Sequence, residues 1–127
     1  KIIESLKKDP RWKNQYRFVQ VPKNIKPSFM GLPIFLNESM NKEIKMKLLF
    51  FLESTGIETR PILTGNFLNQ PSIKLFGLNN KKLKFNGAQS IEDLGFLIGL
   101  HTKEINQKEL NLIKNSLFYI DTLSKDF

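Results

Sequence analysis

Arginine is rare in this chain, and one arginine stands apart. Arg11 and Arg17 lie near the start, and Arg60 alone occupies the remaining two-thirds. Its context, Ile57-Glu58-Thr59-Arg60-Pro61-Ile62-Leu63, reads as a strand. A guanidinium between apolar neighbours requires an acceptor: a carboxylate, a phosphate or carbonyl oxygens. Two kinds of partner fit equally, an internal carboxylate such as Glu58 or Asp93, or an anionic, oxygen-rich ligand. The residues that follow add polar groups. Thr64-Gly65-Asn66 and Asn69-Gln70 offer amide donors and acceptors suited to sugar hydroxyls. They are equally suited to closing a surface turn. His101 is the single histidine, and at a strand end it is expected to be structural or at the surface. Glu92 and Asp93 read as partners of a helix N-terminus rather than as an acid–base pair.

Other chemistries are absent by sequence. There is no cysteine, hence no disulfide, thiolate metal site or cysteine nucleophile. No histidine cluster has metal-ligand spacing. No glycine-rich dinucleotide fingerprint, Walker loop or Gly-x-Ser-x-Gly elbow occurs. The formal charge of +8 over 127 residues fits a polyanion partner, but the excess is mostly scattered lysine. A solvated surface accounts for that pattern better. No apolar run reaches the roughly 18 residues of a membrane span, and no signal-peptide pattern is present. A soluble, cytoplasmic protein without a membrane partner is expected. The chain starts at Lys1 inside a helical pattern, so a trimmed fragment of a longer polypeptide is expected.

The elements that must position Arg60 can be read in order. Residues 1–8 place Ile2, Ile3 and Leu6 on one helical face, ended by Pro10. Residues 16–21 read as a short strand. Residues 29–36 read as an apolar strand in which Pro33 predicts an edge position or a bulge. The clearest helix spans 41–55, with Asn41 as N-cap and Ile44, Leu48, Phe51 and Leu52 on one buried stripe. Gly56 falls where a left-handed cap is required. A strand over 57–63 follows, then a loop over 65–71, a short helix or turn over 72–78, and a polar loop over 79–84. Asn86-Gly87 predicts a turn, and residues 90–93 have the spacing that starts a short helix ended by Gly95. Residues 96–101 read as a strand. Asn106 and Glu109 open the final helix, whose buried face is Leu110, Ile113, Leu117 and Ile120. The expected fold is α+β, one domain over 1–127, with a small sheet and helices packed on one face.

The motif order is similar to that of a known family. Gly56-Ile57-Glu58-Thr59-Arg60-Pro61, then Gly65-Asn66 and Gln70-Pro71, resembles the C-terminal domain of the DegT/DnrJ/EryC1/StrS family. These are fold-type-I, pyridoxal-phosphate-dependent nucleotide-sugar aminotransferases and dehydratases. Pro27-Ser28-Phe29-Met30-Gly31-Leu32-Pro33 resembles the family's P-S-W-F-G-F-P strand. Ala88 to Asp93 with Phe96 to His101 resembles its return strand, and 106–120 its terminal helix. Nearly the whole chain is covered.

The resemblance implies the small domain of an enzyme acting on a 4-keto-6-deoxy nucleotide sugar in lipopolysaccharide or O-antigen biosynthesis. Pro61-Ile62-Leu63 replaces the family's histidine-containing form and tilts the comparison toward 3-dehydratases. Asn69 stands where an arginine is usual, and the cysteines of the iron–sulfur branch are missing. By the same resemblance Arg60, Asn66, Gln70 and His101 line the nucleotide-sugar side of a cleft shared with a large N-terminal domain. That domain carries the pyridoxal phosphate and its Schiff-base residue. This chain then holds no catalytic, cofactor-binding or metal-binding residue, binds no cofactor alone and is inactive alone. The partners implied are the nucleotide sugar, the missing domain and a second copy in a homo-oligomer. An apolar patch around Phe29, Met30 and Phe67 and self-association are expected. The alternative is a small basic α+β module that binds nucleic acid or another protein. It lacks the aromatic pattern on a central strand that such sheets use to stack bases.

Overall fold

The computed structural model describes residues 1–78 and 83–124. Residues 79–82, where most of the expected polar loop falls, lie outside them. Among the described residues, the helices are α1 (Ile2–Lys7), α2 (Lys42–Ser54), α3 (Pro71–Leu75), α4 (Asn86–Leu94), α5 (Gln107–Leu117) and α6 (Ile120–Leu123). The strands are β1 (Tyr16–Phe18), β2 (Gly31–Leu36), β3 (Thr59–Arg60) and β4 (Gly95–Gly99). They form one antiparallel sheet in the order β1-β2-β4-β3. The molecule is a small α+β domain. No helix among the described residues is long and apolar enough to cross a membrane.

Alternation along the strands decides where the core lies. Leu32, Ile34 and Leu36 of β2 and Phe96 and Ile98 of β4 are buried, whereas Pro33, Phe35 and Leu97 are only partly so. Successive side chains point to opposite faces, so one sheet face carries the core. The register stacks it: Leu36 opposite Tyr16, Ile34 opposite Phe96, Leu32 opposite Ile98. Ile2 and Leu6 of α1, Ile44, Leu48 and Leu52 of α2, and Leu117 and Ile120 join the same cluster. Tyr16 brings a hydroxyl into this core and donates it to the Leu117 carbonyl at 2.6 Å. Burial pushes its pKa up.

Pro33 is not on an edge strand. The strand containing it is internal, and the reason is local parity. The Leu100 N–H donates to the Met30 carbonyl. Hydrogen-bonded positions alternate in an antiparallel ladder, so Met30, Leu32 and Ile34 face β4 with their polar groups and Pro33 faces away. On that other side β1 has already ended, at Phe18 opposite Ile34. The missing N–H therefore costs no ladder bond.

Several expected boundaries move. The strand over 57–63 shrinks to Thr59–Arg60, because Pro61 removes a donor and Leu63 adopts a left-handed φ of 50°. The strands expected from 16 and 29 begin or end closer to the sheet, at Tyr16–Phe18 and Gly31–Leu36. Asn86-Gly87 is the first turn of α4 rather than a reverse turn. The final helix is divided into α5 and α6. Asn41 caps α2 by accepting from the Ile44 N–H at 2.9 Å, and Asn106 with Glu109 forms a reciprocal capping box. Gly56, beyond the end of α2, has the left-handed φ of 85° that its position requires.

Candidate ligand-facing edge

Arg60 lies on the outer strand of the sheet, opposite Leu97 of β4. Its side chain is 74% exposed, and its guanidinium meets Glu58 at 2.7 and 2.9 Å. The internal acceptor weighed from sequence is thus Glu58, not Asp93. A pair this exposed contributes about 0–1 kcal/mol, so it is readily exchanged for another anion.

The loop after β3 is built inward. Gly65 has φ 63° and lies flush against α4: a Cβ there would stand 2.9 Å from both Cβ and Cγ of Glu92. One Glu92 carboxylate oxygen accepts the Asn66 N–H at 2.8 Å, and both accept from the Asn69 amide at 3.0 and 3.1 Å. Gln89, one turn earlier, accepts from the side-chain amides of Asn66 and Asn69 and donates to Asp93. Asn66 is buried, and its oxygen accepts from the Leu68 N–H to cap a single 3-10 turn, Phe67–Asn69. Gln70 donates to the Thr64 carbonyl at 2.9 Å and closes the loop on itself. A groove of about 360 Å³ runs between this loop and α4, lined by Pro61, Ile62, Thr64, Gly65, Gln70 and Glu92 among others.

The junction between α4 and β4 holds the arrangement in place. α4 passes into β4 with no intervening residue, because Gly95 takes an extended conformation directly after Leu94. Only glycine fits: an added Cβ would stand 2.7 Å from the Ile91 carbonyl oxygen and 2.8 Å from Ile62. Lys45 of α2 reaches this junction from the other side. Its ammonium donates to the Glu92 carbonyl and lies 3.5 Å from that of Gly95, satisfying carbonyls at a helix C-terminus. Burial, and then Lys42, lowers the Lys45 pKa; Asp93 and Glu92 oppose the shift.

Of the four residues expected at a ligand, the chain brings three near one end of the sheet. Arg60 is exposed there, whereas Asn66 and Gln70 make the internal bonds described above. His101 is exposed elsewhere. It lies four residues beyond Leu97 in the direction away from Gly95, on the order of 13 Å along the strand from the register position of Arg60. Phe29, Met30 and Phe67 are all exposed, Met30 at 91%. They form two separate surfaces, since Met30 pairs with Leu100 while Phe67 belongs to the loop held at the Gly95 end.

Glu92 and Asp93 do not serve a helix N-terminus, because α4 begins at Asn86 and places them in its last turn. The importance of Glu92, Gln89 and Lys45 was not read from sequence. For Lys45 a signal existed: it sits three residues before Leu48 and seven before Leu52, on the buried stripe. For Glu92 the partners are 23 or more residues away, and no local pattern announces them. Among the described residues no group of three or more histidine, cysteine or carboxylate residues could hold a metal. Compared with known proteins, the chain matches no family model and no curated protein.

Proposed function

We infer that this chain is the substrate-side small domain of a pyridoxal-phosphate-dependent enzyme acting on a 4-keto-6-deoxy nucleotide sugar. The observation that carries this is the state of Arg60. Within the Gly56 to Pro71 stretch the amides shape the loop, and the one permanent cation is left outward on an uncovered strand edge. Its only described acceptor is the weakly held Glu58. A nucleotide diphosphate offers paired anionic oxygens that a planar guanidinium can bind bidentately. Leu63 at 87% exposure and Phe67 at 58% follow Arg60 in the chain, and exposed apolar side chains of this kind suit a surface covered by another domain. On this reading Asn66 and Gln70 give the loop its form, and Arg60 touches the ligand.

The cofactor does not fit these residues taken alone. Lys45 is the buried lysine among the described residues, and its ammonium caps carbonyls at the end of α4. Lys45 lines neither the groove between the 64–70 loop and α4 nor a further groove among the described residues lined by Asn14, Asn37 and Asp121. On the proposed reading the Schiff-base residue belongs to a domain outside this chain, and the residues here carry no catalytic step.

The test is a product analysis. The polypeptide carrying this domain is incubated with pyridoxal phosphate and a nucleotide-linked 4-keto-6-deoxyhexose, with and without an amino donor. Mass spectrometry is expected to show either replacement of the keto oxygen by an amine or loss of the C3 oxygen. Unaltered sugar under both conditions, with the cofactor demonstrably bound, overturns the assignment. Turnover by the 127-residue chain alone would overturn the placement of the catalytic residue elsewhere.

A further inference from the structure

Glu92 occupies an electrostatically poor position. A carboxylate in the last turn of a helix faces the negative end of the macrodipole, typically at a cost of about 0.3–1 kcal/mol. What offsets that cost comes from two directions: the Lys45 ammonium on its own carbonyl, and the donors of the 64–70 loop on its carboxylate. The loop has no comparable hold elsewhere on the described fold. Gln89 supplies only a neutral acceptor, and Gln70 ties the loop to itself. Gly65 permits the contact and would be incompatible with a Cβ. Five residues beyond Glu92 in the same continuous segment, Leu97 fixes the register of Arg60. One short unit, 92–97, therefore sets both where Arg60 leaves the sheet and where the loop beside it lies. Lys45 pins that unit to α2 in the core.

We propose that Glu92 is a positioning residue: its carboxylate fixes the 64–70 loop against α4 and so gives the surface beside Arg60 its ligand-competent form. The substrate part of this rests on the function inferred above; the anchoring part does not. Glu92→Gln keeps the length and shape but leaves one oxygen where two face donors. The loop should loosen while the core, which Glu92 does not enter, stays folded.

Two measurements decide it. Amide hydrogen exchange on this chain should show the Asn66 N–H losing about tenfold or more of its protection in Glu92→Gln, the loss expected for one charged hydrogen bond, with Leu48 and Ile98 unchanged. In the polypeptide carrying this domain, KM for the nucleotide sugar should rise about tenfold with kcat within about threefold, as expected when ground-state and transition-state binding are lost together. Glu92→Asp should recover part of both effects. Asn69→Ala, which removes a donor from the exposed side of the loop, should reproduce the loosening at smaller size if Glu92→Gln folds poorly. Unchanged protection at Asn66 in both variants overturns the anchor. A loosened loop with unaltered KM overturns the substrate role. Failure of the unsubstituted enzyme to convert any nucleotide sugar overturns the function and the substrate role with it, and leaves the exchange result to decide the anchor.

Discussion

Replacing Gly65 with alanine tests the loop geometry most directly, because two independent costs meet there. The first is backbone strain. Gly65 has φ 63°, and a non-glycine residue in that region costs about 1–2 kcal/mol. Part of this is offset by the lower entropy of the unfolded alanine chain, about 0.4–1 kcal/mol. The second cost is contact. The new Cβ would stand 2.9 Å from Cβ and Cγ of Glu92 and 3.0 Å from its Oε2. Either the loop lifts or Glu92 swings away, and each breaks the 2.8 Å bond from the Asn66 N–H. A hydrogen bond to a charged group contributes about 1.5–3 kcal/mol. The net destabilisation for Gly65→Ala is then about 2–4 kcal/mol. Gly56→Ala is the control: its φ is 85°, but nothing lies within 4 Å of its added Cβ, so only the net backbone term of about 0.5–1 kcal/mol remains. Urea denaturation of both variants, followed by far-ultraviolet circular dichroism at a common slope, gives the difference. Equal midpoints for the two would refute the reasoning, because the contact with Glu92 would then carry no stability.

Three other outcomes are expected. Asp9 accepts Arg11 side-chain bonds at 2.9 and 3.0 Å and lies 3.1 Å from the Lys114 ammonium, tying the end of α1 to α5. Arg11, first through its side chain and then its backbone N–H, and to a lesser degree Lys114, hold its pKa well below the usual carboxylate range. The unfolded chain therefore takes up the proton first as pH falls, so the stabilisation is complete above about pH 5 and drains away below about pH 4. Asp9→Asn should lower the melting temperature at pH 7 and flatten its decline between pH 5 and 3; an unchanged acid limb would count against the clasp. Arg60→Ala should alter stability by no more than about 0.5 kcal/mol, as for an exposed pair, while raising KM in the enzyme carrying this domain. Collapse of the fold, or unaltered kinetics, would return Arg60 to a structural role. Lys45→Met should cost about 1–3 kcal/mol at neutral pH by leaving carbonyls at the end of α4 without a donor. Because burial lowers the native Lys45 pKa, the native state of the unsubstituted chain gains relative stability as pH rises from that lowered value toward the ordinary lysine range. The gap to Lys45→Met should widen there; a constant gap would remove Lys45 from a buried charged position.

The surface of the domain bears on its use. Leu63, Leu75 and Phe76 are more than 70% exposed, and no acidic residue occurs between Glu58 and Glu92. Under the proposed function, a cofactor domain packed over the Arg60 end of the sheet would cover such apolar side chains and leave Arg60 for an anionic ligand. The His101 end has its own exposed residues, Met30, whose carbonyl accepts the Leu100 N–H, and its neighbour Phe29. Under the proposed function, two separate contacts with other protein follow from these two surfaces, rather than one continuous patch.

Local physics made much of this legible from sequence. Asn41 and Asn106 cap helices because a short side-chain oxygen next to a free N–H needs no distant partner. Gly56 turns left-handed because only its own backbone is at issue. The stripe of Ile44, Leu48 and Leu52 announced the core, since periodicity is a local record of a two-sided environment, and the apolar run 96–98 announced a strand. What depended on meetings between distant segments was not legible. The strand at Arg60 kept two residues because pairing with β4 ends where Pro61 and Leu63 turn the chain. Pro33 sits in an inner strand because β1 stops one residue short of needing its N–H. Asn66 and Gln70 have the chemistry of ligand contacts and yet bind their own fold. Which donors remain for a ligand was decided by Glu92 and Gln89, residues about 20 or more positions away that only the tertiary structure brings alongside.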